Sequence, residues 1–106
     1  MTEESAVDLV KKMAAVLRRA GWNYDVAFWA GMDGIVCAEL LRTEQGKMEY
    51  TDYILYGEGL DKESASRDLL RNWAAGKGPV PAASSPEELE FKIAVLNLNG
   101  KATCVS

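Results

Sequence analysis

Histidine is absent from this 106-residue chain. Its absence excludes the Ser-His-Asp and Cys-His nucleophile arrangements and removes the commonest zinc ligand. Cysteine is scarce as well: Cys37 and Cys104 stand far apart and outside any metal-ligand spacing. The expectation is a reduced, buried Cys37, a frayed Cys104 and no disulfide framework. No uninterrupted apolar run approaches the ~18 residues of a membrane span. The opening MTEESAVDLVKK has acids where a secretory signal would need bases, so the chain reads as cytoplasmic. Basic residues are the minority charge, 12 against 16 acidic, for a net charge of -4. A polyanion is repelled unless those bases gather on one face, which sets nucleic acid at a disadvantage as a partner.

What is present describes a fold. The length fits a single domain, 1-106, with a core at 1-76, a loop at 77-84 and a C-terminal helix and tail at 85-106. Val7, Val10, Ala14 and Leu17 recur at spacings of three and four and predict an amphipathic helix over Thr2 to Ala20, capped by Thr2 and stopped by Gly21. From Trp22 to Met32 the period becomes two: Tyr24, Val26, Phe28 and Ala30 take one side, Ala27 and Trp29 the other. Asp33-Gly34 signals a tight hairpin into a second strand, Ile35 to Arg42, and a third strand rich in tyrosine follows at Lys47 to Tyr56.

Gly57-Glu58-Gly59 reads as a turn. Asp61 then caps a second helix carrying Ala65, Leu69, Leu70 and Trp73 and ending at Gly76. Leu69→Ala should remove a core contact, whereas Glu63→Lys should cost little. Ser85-Pro86-Glu87-Glu88 has the form of a capping box and predicts a third helix with Leu89, Ile93 and Leu96 on one face, Phe91 and Val95 widening it, and an end near Asn97 to Gly100. The rival reading of that segment is a hairpin about Asn99-Gly100, with strands Glu90 to Leu98 and Lys101 to Val105. The fold class is α+β: α-β-β-β-α with a three-stranded antiparallel meander, plus the C-terminal helix.

The stretch GEGLDKESASR within this order resembles the double-stranded-RNA-binding domain, over roughly Ala6 to Ala75. Gly57 and Gly59 match that family's glycines, Asp61 stands where its capping serine would be, Lys62 matches its first lysine, and Ala65 matches the alanine packed under its sheet. The resemblance implies both helices on one face of the sheet. It also implies duplex-RNA binding through the second helix, for which the available bases are Lys62, Arg67, Arg71 and Lys77, with Lys11 and Lys12 in support. Glu63 and Ser66 occupy the second and third lysine places, and only Met32-Asp33-Gly34-Ile35 stands where the family has a longer, histidine-bearing loop. One of about three phosphate-binding charges is retained.

No reaction is named by the remaining residues. A phosphate grip at Gly57-Glu58-Gly59 would meet the carboxylates of Glu58 and Asp61. Glu39, Glu49, Asp52, Glu58 and Asp61 supply carboxylates for acid-base work, and Glu58, Asp61 and Asp52 for a divalent metal, without a signal that any is paired with another. No cofactor is called for. The aromatics are the informative surplus. Strand one is apolar on both sides, so the second face of the sheet needs a cover: the third helix, a second copy or a partner. Trp29, Tyr50 and Tyr53 are the expected protein-interface residues. The leading expectation is a small acidic, non-catalytic module that binds another protein or itself as a homodimer through a sheet face, in the manner of an adaptor or a phage-type inhibitor of a nucleic-acid-processing complex. The alternative is double-stranded RNA binding.

Overall fold

A computed structural model describes residues 5–42 and 53–103. The element order is α1 (Ala6–Arg19), β1 (Tyr24–Ala30), β2 (Val36–Arg42), β3 (Tyr53–Gly59), α2 (Lys62–Ala74) and α3 (Pro86–Thr103). The strands form one antiparallel sheet in the order β1-β2-β3. The register sets Val26, Leu40 and Leu55 in one row and Phe28, Ala38 and Gly57 in the next. These rows face α1 and α2. Val10, Met13, Ala14 and Leu17 of α1 and Ala65, Leu69 and Trp73 of α2 close over them in one buried cluster. Period-two alternation in the strands and period-3.6 stripes in the helices meet on a common face, as the hydrophobic pattern requires.

Two glycines decide how closely α2 approaches. A Cβ on Gly57 would stand 2.2 Å from the Leu69 backbone nitrogen, and one on Gly59 would stand 2.4 Å from Ser64 Oγ. Gly57-Glu58-Gly59 is therefore the end of β3, paired with Ala38, Cys37 and Val36. The expected turn at these three residues is corrected: the chain turns at Leu60 and Asp61. Asp61 caps α2 as expected, in a reciprocal box with Ser64. Side chains of α2 also cover the outer edge of β3, where Asn72 donates to the Tyr56 carbonyl (2.6 Å) and the Glu58 amide donates to Asp68 (3.0 Å).

Other expectations are adjusted by hydrogen bonding. The N-cap of α1 is Ser5, whose hydroxyl accepts from the Asp8 amide, and Thr2 lies outside the described residues. At Asp33-Gly34 the chain makes a three-residue hairpin loop in place of the expected tight one. The Gly34 amide donates to the Gly31 carbonyl, the Gly31 amide donates to the Ile35 carbonyl, and Gly34 takes φ 81°, a left-handed conformation that glycine adopts without strain. The N-terminal part of the expected third strand lies outside the described residues.

The third helix is present and the rival hairpin is not. Pro86 opens α3 and the Glu88 amide donates to Ser85 Oγ (3.1 Å). The Glu88 carboxylate reaches the Ser84 amide (2.9 Å), one residue earlier than a standard box. The helix runs on through Asn97 to Gly100, past its expected end, to Thr103. It packs on α1, with Leu89 and Ile93 buried and Arg19 paired to Glu90 at 2.9 Å. The loop between α2 and α3 is part of the core: Val80 and Ala83 are buried, and the Trp73 indole donates to the Pro81 carbonyl (3.0 Å).

Candidate protein interface

Because Gly57 and Gly59 must face α2, period-two geometry turns Tyr56 and Glu58 to the opposite side of the sheet. The register then assembles a second face row by row: Trp29, Cys37 and Glu58 in one row, Ala27, Glu39 and Tyr56 in the next. Trp29 is 38% exposed and Tyr56 37%. The Tyr56 hydroxyl donates to the Glu58 carboxylate and lies 3.6 Å from Cys37 Sγ. These contacts, the Glu58 hydrogen bond first, hold the phenol proton well above its usual range. Among the described elements α1 and α2 lie on the other face and α3 packs on α1, so of the three covers the sequence allows, the third helix is not the one in place.

Trp29 is where the sequence places it, on the face away from the helices. Tyr53 pairs with Leu41 at the start of β3, and Tyr50 lies outside the described residues. Tyr56 was missed as a member of this face, although counting by twos from the two glycines would have identified it. Cys37 is free and half-buried in the middle of the face, rather than buried in the core. Cys104 lies outside the described residues.

The bases proposed for RNA are gathered on or near α2 but are largely engaged. The Lys62 amine sits over the Phe28 ring, 5.5 Å from its centroid. Arg67 is 3.8 Å from Glu63, and Arg71 is 3.4 Å from Asp68. Lys77 lies beyond the helix, lining a shallow hollow with Asn72 and Tyr56. Lys11 and Lys12 are on α1. The α2 surface thus alternates carboxylate and guanidinium and offers no uninterrupted positive strip for a phosphate backbone.

Glu63 has a role that its sequence position does not announce. Its carboxylate reaches across to α1, accepting from the Ala6 amide at 2.8 Å and the Val7 amide at 3.3 Å. Together with Ser5, which takes the Asp8 amide at 3.1 Å, it satisfies three of the four donors a helix start leaves open. The expectation that Glu63→Lys would cost little is therefore corrected. Glu63 is the residue that joins α2 to α1.

Among the described residues, no three His, Cys, Asp or Glu side chains gather to hold a metal ion, and no helix is long and apolar enough to cross a membrane. Asp52 and Glu49 lie outside the described residues. Comparison with protein-family models, curated proteins and solved structures finds no match to this chain.

Proposed function

We propose that this chain is a non-catalytic interaction module whose second sheet face docks on another protein. One observation carries the reading: Trp29 and Tyr56 stand exposed on a sheet face that none of the described helices covers. Aromatics of this kind are enriched at the centres of protein interfaces. Glu39 and Glu58 share the face. Two copies placed face to face would bring four carboxylates together, so the electrostatics favour a partner with an apolar centre and Lys or Arg at its rim over a second copy. The nucleic-acid-binding surface of another protein has that chemistry, which keeps an adaptor or inhibitor role in view. The likeness to the double-stranded-RNA-binding domain enters as a shared scaffold, an α-β-β-β-α layer order with glycines beneath the second helix. RNA binding by the chain itself loses support because Glu63, Asp68 and the pairs they make occupy the α2 surface.

The test places a photocrosslinking amino acid at position 29, and separately at Lys11 as a control, in the full chain added to a lysate of the source cell. A discrete adduct at position 29 but not 11 is expected, competed away by excess wild-type protein and not by the Trp29→Glu variant. Adducts equal at the two positions, or equally competed by Trp29→Glu, would refute the reading. A gel shift with a duplex of about 20 base pairs at low salt, longer than the roughly 16 such domains cover, would restore the RNA alternative.

A further inference from the structure

The helix α3 is apolar on more than the side it buries. Leu89 and Ile93 face inward, while Phe91, Val95 and Leu98 follow one another at spacings of four and three along the other side and are 69%, 39% and 69% exposed. That is the spacing of a seam between paired helices. Beside the seam runs a groove of about 430 Å³, with Phe91, Val95 and Leu96 on one wall and the Pro79 to Ala82 turn on the other. A helix apolar on several sides is one that another element covers. Among the described residues, no element lies along this stripe.

We propose that the groove and seam are covered by α3 of a second copy, in an antiparallel pair crossing near Val95. Charge argues for this occupant. Among the described residues Lys92 is the one charged residue lining the groove, and its amine donates to the Ala82 carbonyl. The neighbouring Glu90 is paired with Arg19 and Glu88 with the Ser84 amide. The charge that lines the groove is thus engaged within the chain, and the exposed carboxylate of Glu87 stands a turn before Phe91, outside the lining. The groove itself, among the described residues, therefore offers no free charge to select a charged peptide and fits a neutral, apolar helix face. The Phe91, Val95 and Leu98 stripe of the chain's own α3 is such a face. The acidic residues Glu87, Glu88 and Glu90 all stand in the first turns of α3. A parallel pair would stack six carboxylates, whereas an antiparallel pair carries them to opposite ends and opposes the helix dipoles. Antiparallel crossing also sets the protruding Leu98 of one copy against the Phe91 end of the other's groove, so that one surface serves as both knob and hole, as two-fold symmetry requires.

The α3 stripe and the Trp29 face are separate surfaces. A pair formed through α3 leaves both copies of the sheet face outward and makes the module bivalent, which raises avidity for a partner with repeated sites.

Light scattering and sedimentation of the full chain over a wide concentration range test the pair. Wild type should show twice the monomer mass. Val95→Glu and Leu98→Glu should each give monomers with an unchanged far-ultraviolet spectrum, while Trp29→Glu should remain a dimer. As a check independent of charge insertion, Val95→Cys in a background lacking the native cysteines should form a disulfide-linked dimer on mild oxidation. A wild type that stays monomeric throughout, a dimer that survives both glutamate substitutions, or failure of Val95→Cys to crosslink would overturn the proposal. A dimer lost in Trp29→Glu but kept in the α3 variants would overturn it too and would move self-association to the sheet face, a result distinct from failure of the position-29 crosslink.

Discussion

Replacing Glu63 by lysine tests the junction between the two helices that hold the sheet. In the native chain the carboxylate accepts from two amides at the start of α1, one at 2.8 Å and one at 3.3 Å. A hydrogen bond to a charged group contributes about 1.5 to 3 kcal/mol. The Glu63 side chain is 35% exposed, and the second bond is long, so the pair together is worth about 2 kcal/mol, near the upper end for a helix cap. Lysine removes both bonds, sets a positive charge at the positive end of α1, and faces Arg67, now without its 3.8 Å partner. The wrong-sign charge adds about 0.3 to 1 kcal/mol, for a total near 3 kcal/mol. For a domain of this size that corresponds to a fall in Tm of roughly 10 to 20 °C. Glu63→Gln keeps one acceptor oxygen and loses the charge, so it should cost about 1 kcal/mol. Urea and thermal unfolding followed by circular dichroism would measure the series, and Arg67→Ala controls for the exposed ion pair, which should contribute less than about 0.5 kcal/mol. If Glu63→Lys unfolded at the wild-type midpoint, the capping role would be refuted. The same would follow if Gln and Lys were equally destabilised.

Three further outcomes follow from packing and titration. Gly57→Ala would force a methyl group to within 2.2 Å of the α2 backbone and should destabilise by about 3 kcal/mol or more. Unchanged unfolding in denaturant would show that α2 does not sit on β3 this closely. Ser66 is fully buried in α2 and its hydroxyl has no hydrogen-bond partner among the described residues, so Ser66→Ala should raise stability by up to about 1 kcal/mol; a loss of stability would reveal a partner for the hydroxyl. The Asp61 carboxyl is held below its ordinary 3.8 by the Ser64 amide and hydroxyl. A depressed carboxyl stabilises the folded chain fully above its ordinary value, and the contribution is lost as pH falls below 3.8 through the folded value. Asp61→Asn should therefore flatten the acid limb of stability against pH below that point and leave the neutral limb parallel to wild type. An unaltered acid limb would contradict this assignment.

The layer order was legible from local patterns. Spacings of three and four along Val10, Ala14 and Leu17, alternation from Tyr24 to Ala30, the Asp61 cap and the Ser85-Pro86 start each act within a few residues of chain, and each element they announce is present. The Gly57-Glu58-Gly59 stretch was legible only as glycine-rich. Whether glycine marks a turn or a close helix crossing depends on what lies above it, here the Leu69 and Ala65 backbone. The Pro79 to Ala83 segment has loop composition, yet it enters the core because the Trp73 indole needs an acceptor and finds the Pro81 carbonyl.

By itself the sequence determined the element order from α1 to α2 and which side chains of β1 alternate, because those follow from backbone geometry and near-neighbour hydrogen bonds; the structure decided between helix and hairpin for the last segment and carried β3 through Gly59. The tertiary structure alone decided that Glu63 caps a helix 57 residues away, that α3 rests on α1 and leaves the Trp29 face of the sheet uncovered by the described helices, and that the bases of α2 are met by the Phe28 ring at Lys62 and by carboxylates at Arg67 and Arg71. Each of these depends on distances between groups remote in sequence, which no local periodicity encodes.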